Sequence, residues 1–155
     1  MGVAERSGEL NLHIDLDNTA TATFSEKFMK LGPFKNRHWG GEKIVPVTTL
    51  DDLIAEYGVP GYCKIDVEGY ELNVIQGLNT PIPFISFEYF QAFLGDTERC
   101  LNHLEKLGEM SMNYAPTFDF TTLKLKKWTQ NKGELFNEIM KSSFEYSGDI
   151  FVMLN

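Results

Sequence analysis

Three carboxylates stand where two apolar runs end. Tyr62-Cys63-Lys64-Ile65 leads into Asp66-Val67-Glu68-Gly69, and Phe84-Ile85-Ser86-Phe87 leads into Glu88-Tyr89. A carboxylate so placed can bind a hydroxyl, accept its proton or help to hold a divalent cation. In an open α/β sheet, ligands sit at the carboxyl ends of the strands. Asp66, Glu68 and Glu88 are therefore the catalytic candidates. Several other chemistries lack their residues: there is no Cys-x-x-Cys, His-Glu-x-x-His, Walker loop or Gly-x-Ser-x-Gly elbow. Residues 32–43 gather Lys35, Arg37, His38 and Trp39 in a glycine-rich stretch. That composition reads either as a flap over a substrate, with His38 a binding candidate, or as an ordinary surface loop. Tyr89 is a second substrate-binding candidate. The cluster Tyr89, Phe90 and Phe93 has core as its other reading.

The elements that must position these groups alternate. Leu10, Leu12, Ile14 and Leu16 alternate with polar residues, which predicts a strand with one wet face. His13 falls on the polar side, as a solvated histidine would. Thr19 to Thr23 suggests a short extended piece. Phe24, Phe28 and Leu31 have helical spacing, stopped by Gly32-Pro33. Ile44 to Val47 reads as a short edge strand, because Pro46 cannot donate to a central ladder. Thr49, with Asp52 three residues on, opens a helix that Gly58 and Pro60 close.

The strand at Cys63 to Val67 then runs into a helix from about Tyr70 to Leu78. A second strand covers Phe84 to Tyr89, and a helix capped at Asp96 or Thr97 carries Cys100, Leu101, Leu104 and Leu107. Strands are expected at Met110 to Tyr114 and Ile150 to Leu154, with a helix capped by Thr129 between them. Phe118, Phe120, Leu123 and Leu125 suggest a further extended stretch. Alternation of this kind predicts an α/β fold with a mostly parallel sheet between helices, its last strand antiparallel.

Length and charge narrow the class. At 155 residues the chain suits one domain, 1–155. It has 14 Lys and Arg against 22 Asp and Glu, a net charge of −8. That balance argues against nonspecific nucleic-acid binding, which needs clustered cations. Lys124, Lys126 and Lys127 form one small basic spot that reads as a solvated face. Two cysteines make no disulfide framework, and both sit in predicted buried elements, which points to a cytoplasmic protein. No secretory leader or membrane span is evident, so no membrane partner is expected.

Lys64-Ile65-Asp66-Val67-Glu68-Gly69-Tyr70-Glu71 closely resembles the signature of the FkbM-type methyltransferases. Val47-Thr48-Thr49-Leu50-Asp51-Asp52-Leu53 is similar to the segment before it. Ser86-Phe87-Glu88-Tyr89 and Gly148-Asp149-Ile150-Phe151 are similar to later strands, and residues 4–10 to the stretch after the family's third strand. The resemblance runs the length of the chain and is most specific at the signature.

It implies a Rossmann-like sheet, S-adenosylmethionine as cofactor and O-methylation of a hydroxyl on a sugar or natural-product-like acceptor. It would set Asp66 beside the transferred methyl, as the group that takes the acceptor's proton, with Gly69 also at the cofactor and Glu68 and Glu88 around the acceptor. It also implies that the family's first strand, glycine-rich loop and ribose-binding acid would precede residue 4. The chain then matches strands four to seven and is expected to bind the cofactor weakly on its own. Cys63 to Val67 would form an open sheet edge, from which a homodimer or larger homo-oligomer is expected. The alternative is a non-catalytic structural or binding module of the same descent.

Overall fold

Strand β1 (Gly2–Val3) starts a first sheet, and β2 (Gly8–Asp15), β3 (Ala22–Thr23) and β4 (Trp39–Thr48) complete it in the order β1-β4-β2-β3. The computed structural model describes residues 1–18, 21–31, 34–117, 122–141 and 146–155. Thr19 and the Gly32-Pro33 stop therefore lie outside the described residues, as do Phe118 and Phe120. β2 and β4 pair antiparallel along nearly their whole length, with Glu9 opposite Pro46. β4 is longer than the Ile44 to Val47 strand that the sequence suggests, and it is internal rather than an edge. Pro46 is tolerated because β1 pairs only with Val47 and Thr48, leaving one flank open at the proline. The short helix α1 (Glu26–Lys30) lies between β3 and β4, with Ser25 Oγ accepting from the Phe28 N–H at 3.1 Å.

Helix α2 (Leu50–Tyr57) begins as its sequence predicts. Thr49 Oγ1 accepts from the Asp52 N–H, and the Asp52 carboxylate reaches back to the Thr49 N–H. β5 (Cys63–Ile65), β6 (Phe84–Phe90), β7 (Met110–Pro116) and β8 (Ser147–Leu154) form the second sheet in the order β5-β6-β8-β7. Helices α3 (Glu71–Gln76), α4 (Leu94–Leu104) and α5 (Lys132–Lys141) connect them, with a 3-10 turn at Gln91–Phe93 before α4.

The sheets are mixed, not mostly parallel. β8 lies between β6 and β7 and runs antiparallel to both, so only the β5–β6 pairing is parallel in this sheet. The last strand is antiparallel as expected, but it is central instead of marginal. Its alternating burial follows from that place: Gly148, Ile150, Val152 and Leu154 face one buried side.

Ile75, Leu78, Ile85, Phe87, Leu101 and Ile150 are fully buried in the main core. Each such aliphatic or aromatic side chain contributes about 1.5–3 kcal/mol. A smaller cluster joins Phe28 of α1 to Phe90 and Phe93, with Phe34 and Trp39 packed against it. This aromatic cluster ties the first sheet to the second. The turn before β2 adds polar ties, since Glu5 Oε2 accepts from Tyr70 Oη and Asn73 Nδ2, each at 3.2 Å. Both cysteines are free thiols, Cys63 half-buried and Cys100 buried. Among the described residues, no helix is long and apolar enough to cross a membrane.

Candidate functional site

β5 ends because its backbone changes hand. Glu68 has φ 53° and Gly69 φ 85°, both in the left-handed region. Two such residues in succession turn the chain from the strand into α3 within a few residues. Three contacts hold the turn. Thr23 Oγ1 donates to the Glu68 carbonyl at 2.7 Å. Phe28 packs so closely on Gly69 that an added Cβ would lie 2.5 Å from its ring. Glu71 Oε1 accepts from the Val67 N–H at 3.3 Å and the Gly69 N–H at 3.1 Å. Tyr70 at the N-cap makes no capping bond with its side chain, and the Glu71 carboxylate reaches back to the turn before the helix instead.

Four carboxylates influence one another at this end of β5 and β6. Burial raises Glu88 to about 8, and the charges of Asp66, Glu68 and Glu71 push the same way, against the nearby Lys64. Burial also lifts Glu71 to about 7, outweighing the amide N–H groups that it accepts. Glu68 is raised by burial and by Asp66, with Arg37 opposing. Lys64 is the local counter-charge. Burial works to lower its pKa, but its bond and ion pair with Asp149, aided by Asp66 and Glu88, outweigh that and raise it.

Arg37 is committed elsewhere, donating to Asp15 Oδ2 at 2.9 Å and Thr21 Oγ1 at 3.0 Å. Its bond holds the Asp15 carboxyl below the usual range. Among the described residues, no three His, Cys, Asp or Glu side chains are placed to hold a metal ion.

A cavity of about 440 Å³ opens beside this cluster. Its lining brings the carboxyl groups of Glu71, Glu88, Glu26 and Asp96 together with the rings of Tyr70, Phe24, Phe90 and Phe93. Its rim carries Lys27 and Arg99, but both are engaged with Asp96, Arg99 at 3.5 Å. Tyr70, another wall residue, is pushed up to about 12 by burial and by Glu5, so its phenol stays protonated. A ligand here meets hydrogen-bonding carboxyl groups, a phenol and apolar faces. That combination suits a hydroxyl-bearing molecule with apolar surface.

The residues singled out from the sequence divide. Glu88, Gly69 and Tyr89 line the cavity. Asp66 and Glu68 adjoin it through the turn and act on Glu88 by charge; they are not among its lining residues. The Asp66 side chain is 53% exposed, and its Oδ2 lies 3.7 Å from Lys64 Nζ. His38 is also outside the lining: it is 65% exposed, with Nδ1 3.6 Å from Asp17 Oδ1. Tyr89 belongs to core and cavity at once, being buried in the main cluster. Sequence reasoning gave Glu71 no part in the site and overlooked Tyr70, Phe24 and Lys27. The signal for Glu71 was its position two residues after a glycine, at the reach of a side chain folding back on the turn.

A family model described as the methyltransferase FkbM domain matches residues 1–137. No curated protein and no solved structure matches the chain.

Proposed function

Since the chain belongs to the FkbM methyltransferase family, we propose that it takes part in S-adenosylmethionine-dependent O-methylation, with Glu88 as the base that takes the proton from the acceptor hydroxyl. The observation that carries this reading is Glu88 itself: a carboxyl raised to about 8 and lining a 440 Å³ cavity beside the family signature. A base works best when its pKa is near the operating pH. Asp66 held that role in the sequence reading. Glu88 takes it because Glu88 lines the cavity and Asp66 does not.

S-adenosylmethionine carries a sulfonium and an ammonium, and the residues at the turn meet those charges with oxygens. Asp66 and Glu68 supply anionic oxygens, and Gly69 leaves its turn without a side chain. The fit is one of charge: Asp66 and Gly69 would hold the cationic end. When bound, the cofactor supplies an electrophilic methyl group. The chain's own residues do the rest. Tyr70 Oη, whose proton goes to Glu5, accepts a hydrogen bond from the acceptor, Phe90 and Phe93 pack on its apolar face, and Glu88 receives its proton. Alignment of the hydroxyl and removal of its proton are the two contributions that this chemistry needs from protein. The acceptor is a sugar or natural-product-like hydroxyl compound.

The test is release of S-adenosylhomocysteine by the protein as its gene encodes it, against a panel of monosaccharides and small phenols. Acceptor-dependent release that rises with pH to a plateau above about 8 supports the reading. Release from no acceptor, or a rate flat in pH, leaves the non-catalytic alternative standing. Asp66→Asn provides a second check. Removing one like charge should move the midpoint of that pH profile downward and raise KM for S-adenosylmethionine. An unshifted midpoint with unchanged KM would deny Asp66 both roles.

A further inference from the structure

We infer that Glu71 is a positioning residue, whose carboxylate braces the 66–69 turn from inside and lends its charge to Glu88. The geometry is specific to a carboxylate or its isostere. One oxygen, Oε1, collects two amide N–H groups that the left-handed turn directs toward the helix. Glu71 is only 7% exposed, so water does not replace it there. Without it, two amides of the turn lose their acceptor, and the backbone of Glu68 at φ 53° loses one of its supports. Thr23 of β3 and Phe28 of α1 hold the turn from outside, while Glu71 holds it from its own helix.

The second part is electrostatic. Glu71 and Glu88 line the same cavity. Asp66 acts on Glu71 from the turn and Cys100 faces it from α4, with Asp96 and Arg99 beside that thiol, while Asp66, Glu68 and Glu71 act on Glu88 against the opposing charge of Lys64. Carboxylates this close titrate as a coupled set, so ionising Glu71 makes ionising Glu88 harder. Glu71 thus helps to set the pH at which Glu88 becomes a base. The functional consequence rests on the methyl-transfer reading; the brace and the coupling do not.

Glu71→Gln and Glu71→Ala separate the two parts. Glutamine keeps an acceptor for the amides and removes the charge; alanine removes both. Carbon-13 labelling of glutamate side chains, with Glu88 assigned through Glu88→Gln, follows each titration from about pH 5 to 10 by NMR. The expected result is a downward shift of the Glu88 midpoint by about half a unit in both variants. Its two-step curve should become a single step in Glu71→Gln. Glu71→Gln should melt close to wild type, and Glu71→Ala roughly 5–10 °C lower. An unmoved Glu88 midpoint in Glu71→Gln overturns the inference, and so does an alanine variant as stable as the glutamine one. If Glu71→Ala does not fold, Glu71→Gln still decides the coupling. A wild-type protein without methyl transfer counts against the proposed function alone, because NMR and melting still read the brace.

Discussion

Glu88→Gln is expected to lower methyl transfer by about 100- to 10,000-fold, the usual range for loss of a positioned general base. Glutamine fills the same space and still hydrogen-bonds a hydroxyl, so the loss should fall mainly on kcat. The variant should also lose the rise in rate toward pH 8, since the group responsible for it is gone. Stability should respond in the opposite sense. The folded protein holds the Glu88 proton to about 8, against an ordinary value of 4.5. It therefore binds more protons than the unfolded chain between those limits, and stability falls as pH rises through that window. Burial is the main cause of the raised value, and Asp66 and Glu68 add to it. Glutamine has no charge to ionise, so the variant should lose less stability over the same window. Melting curves at about pH 5 and pH 9 measure the difference. Near wild-type turnover by Glu88→Gln would remove Glu88 as the base.

Gly69→Ala should be the most damaging small substitution in the turn. Its φ of 85° costs an L-residue roughly 1–2 kcal/mol. The new Cβ would also lie 2.5 Å from Cδ2 and 2.9 Å from Cβ of Phe28, a side chain with no exposed surface. Overpacking of that kind costs about 1–3 kcal/mol more. Together they predict a loss of roughly 2–5 kcal/mol, or roughly 4–20 °C in melting temperature. Gly61→Ala is the matched control: a Cβ there meets nothing within 4 Å. A Gly69→Ala protein that melts with the control would show that Phe28 does not pack against the turn. The effect should reach Glu88 too, because Gly69 donates one of the two amides that Glu71 accepts.

The local signals of the sequence were readable where one short stretch settles the matter. Thr49 and Asp52 announced α2 and formed both bonds of its cap. The run from Tyr62 into Glu68 announced a strand that stops at an acid, and Asp66 does follow the last residue of β5; Glu88 follows the last β5–β6 pair but lies inside β6, which runs on to Phe90 opposite β8. Partnering across long separations was not readable. Ser147 to Leu154 looks like any buried strand, and nothing in those residues says that β7 and β6 receive it on either side. The ten residues of β4 include two glycines and a proline, which weaken a strand pattern, yet β2 supplies a partner along them. The cavity was illegible for the same reason. Its walls come from α1, the turn, β6 and α4, and only packing unites Phe24 with Phe93. Glu71 was visible as an acid in a first turn, but its bonds run backward to a turn whose shape the sequence only suggested.

The central position of β8 sets the order in which the molecule can be built during synthesis. β6 and β7 leave the ribosome before their common partner does, and each stays unpaired along one flank until residues 147–154 emerge. The second sheet thus closes last, by inserting the final strand into a gap. Non-local pairing of this kind slows folding and exposes strand edges to other chains in the meantime. A chain ending at residue 146 should therefore be trapped with that gap open. It should be cut rapidly by protease, melt without a cooperative transition and aggregate, and resistance equal to that of the intact chain would argue against obligatory late closure.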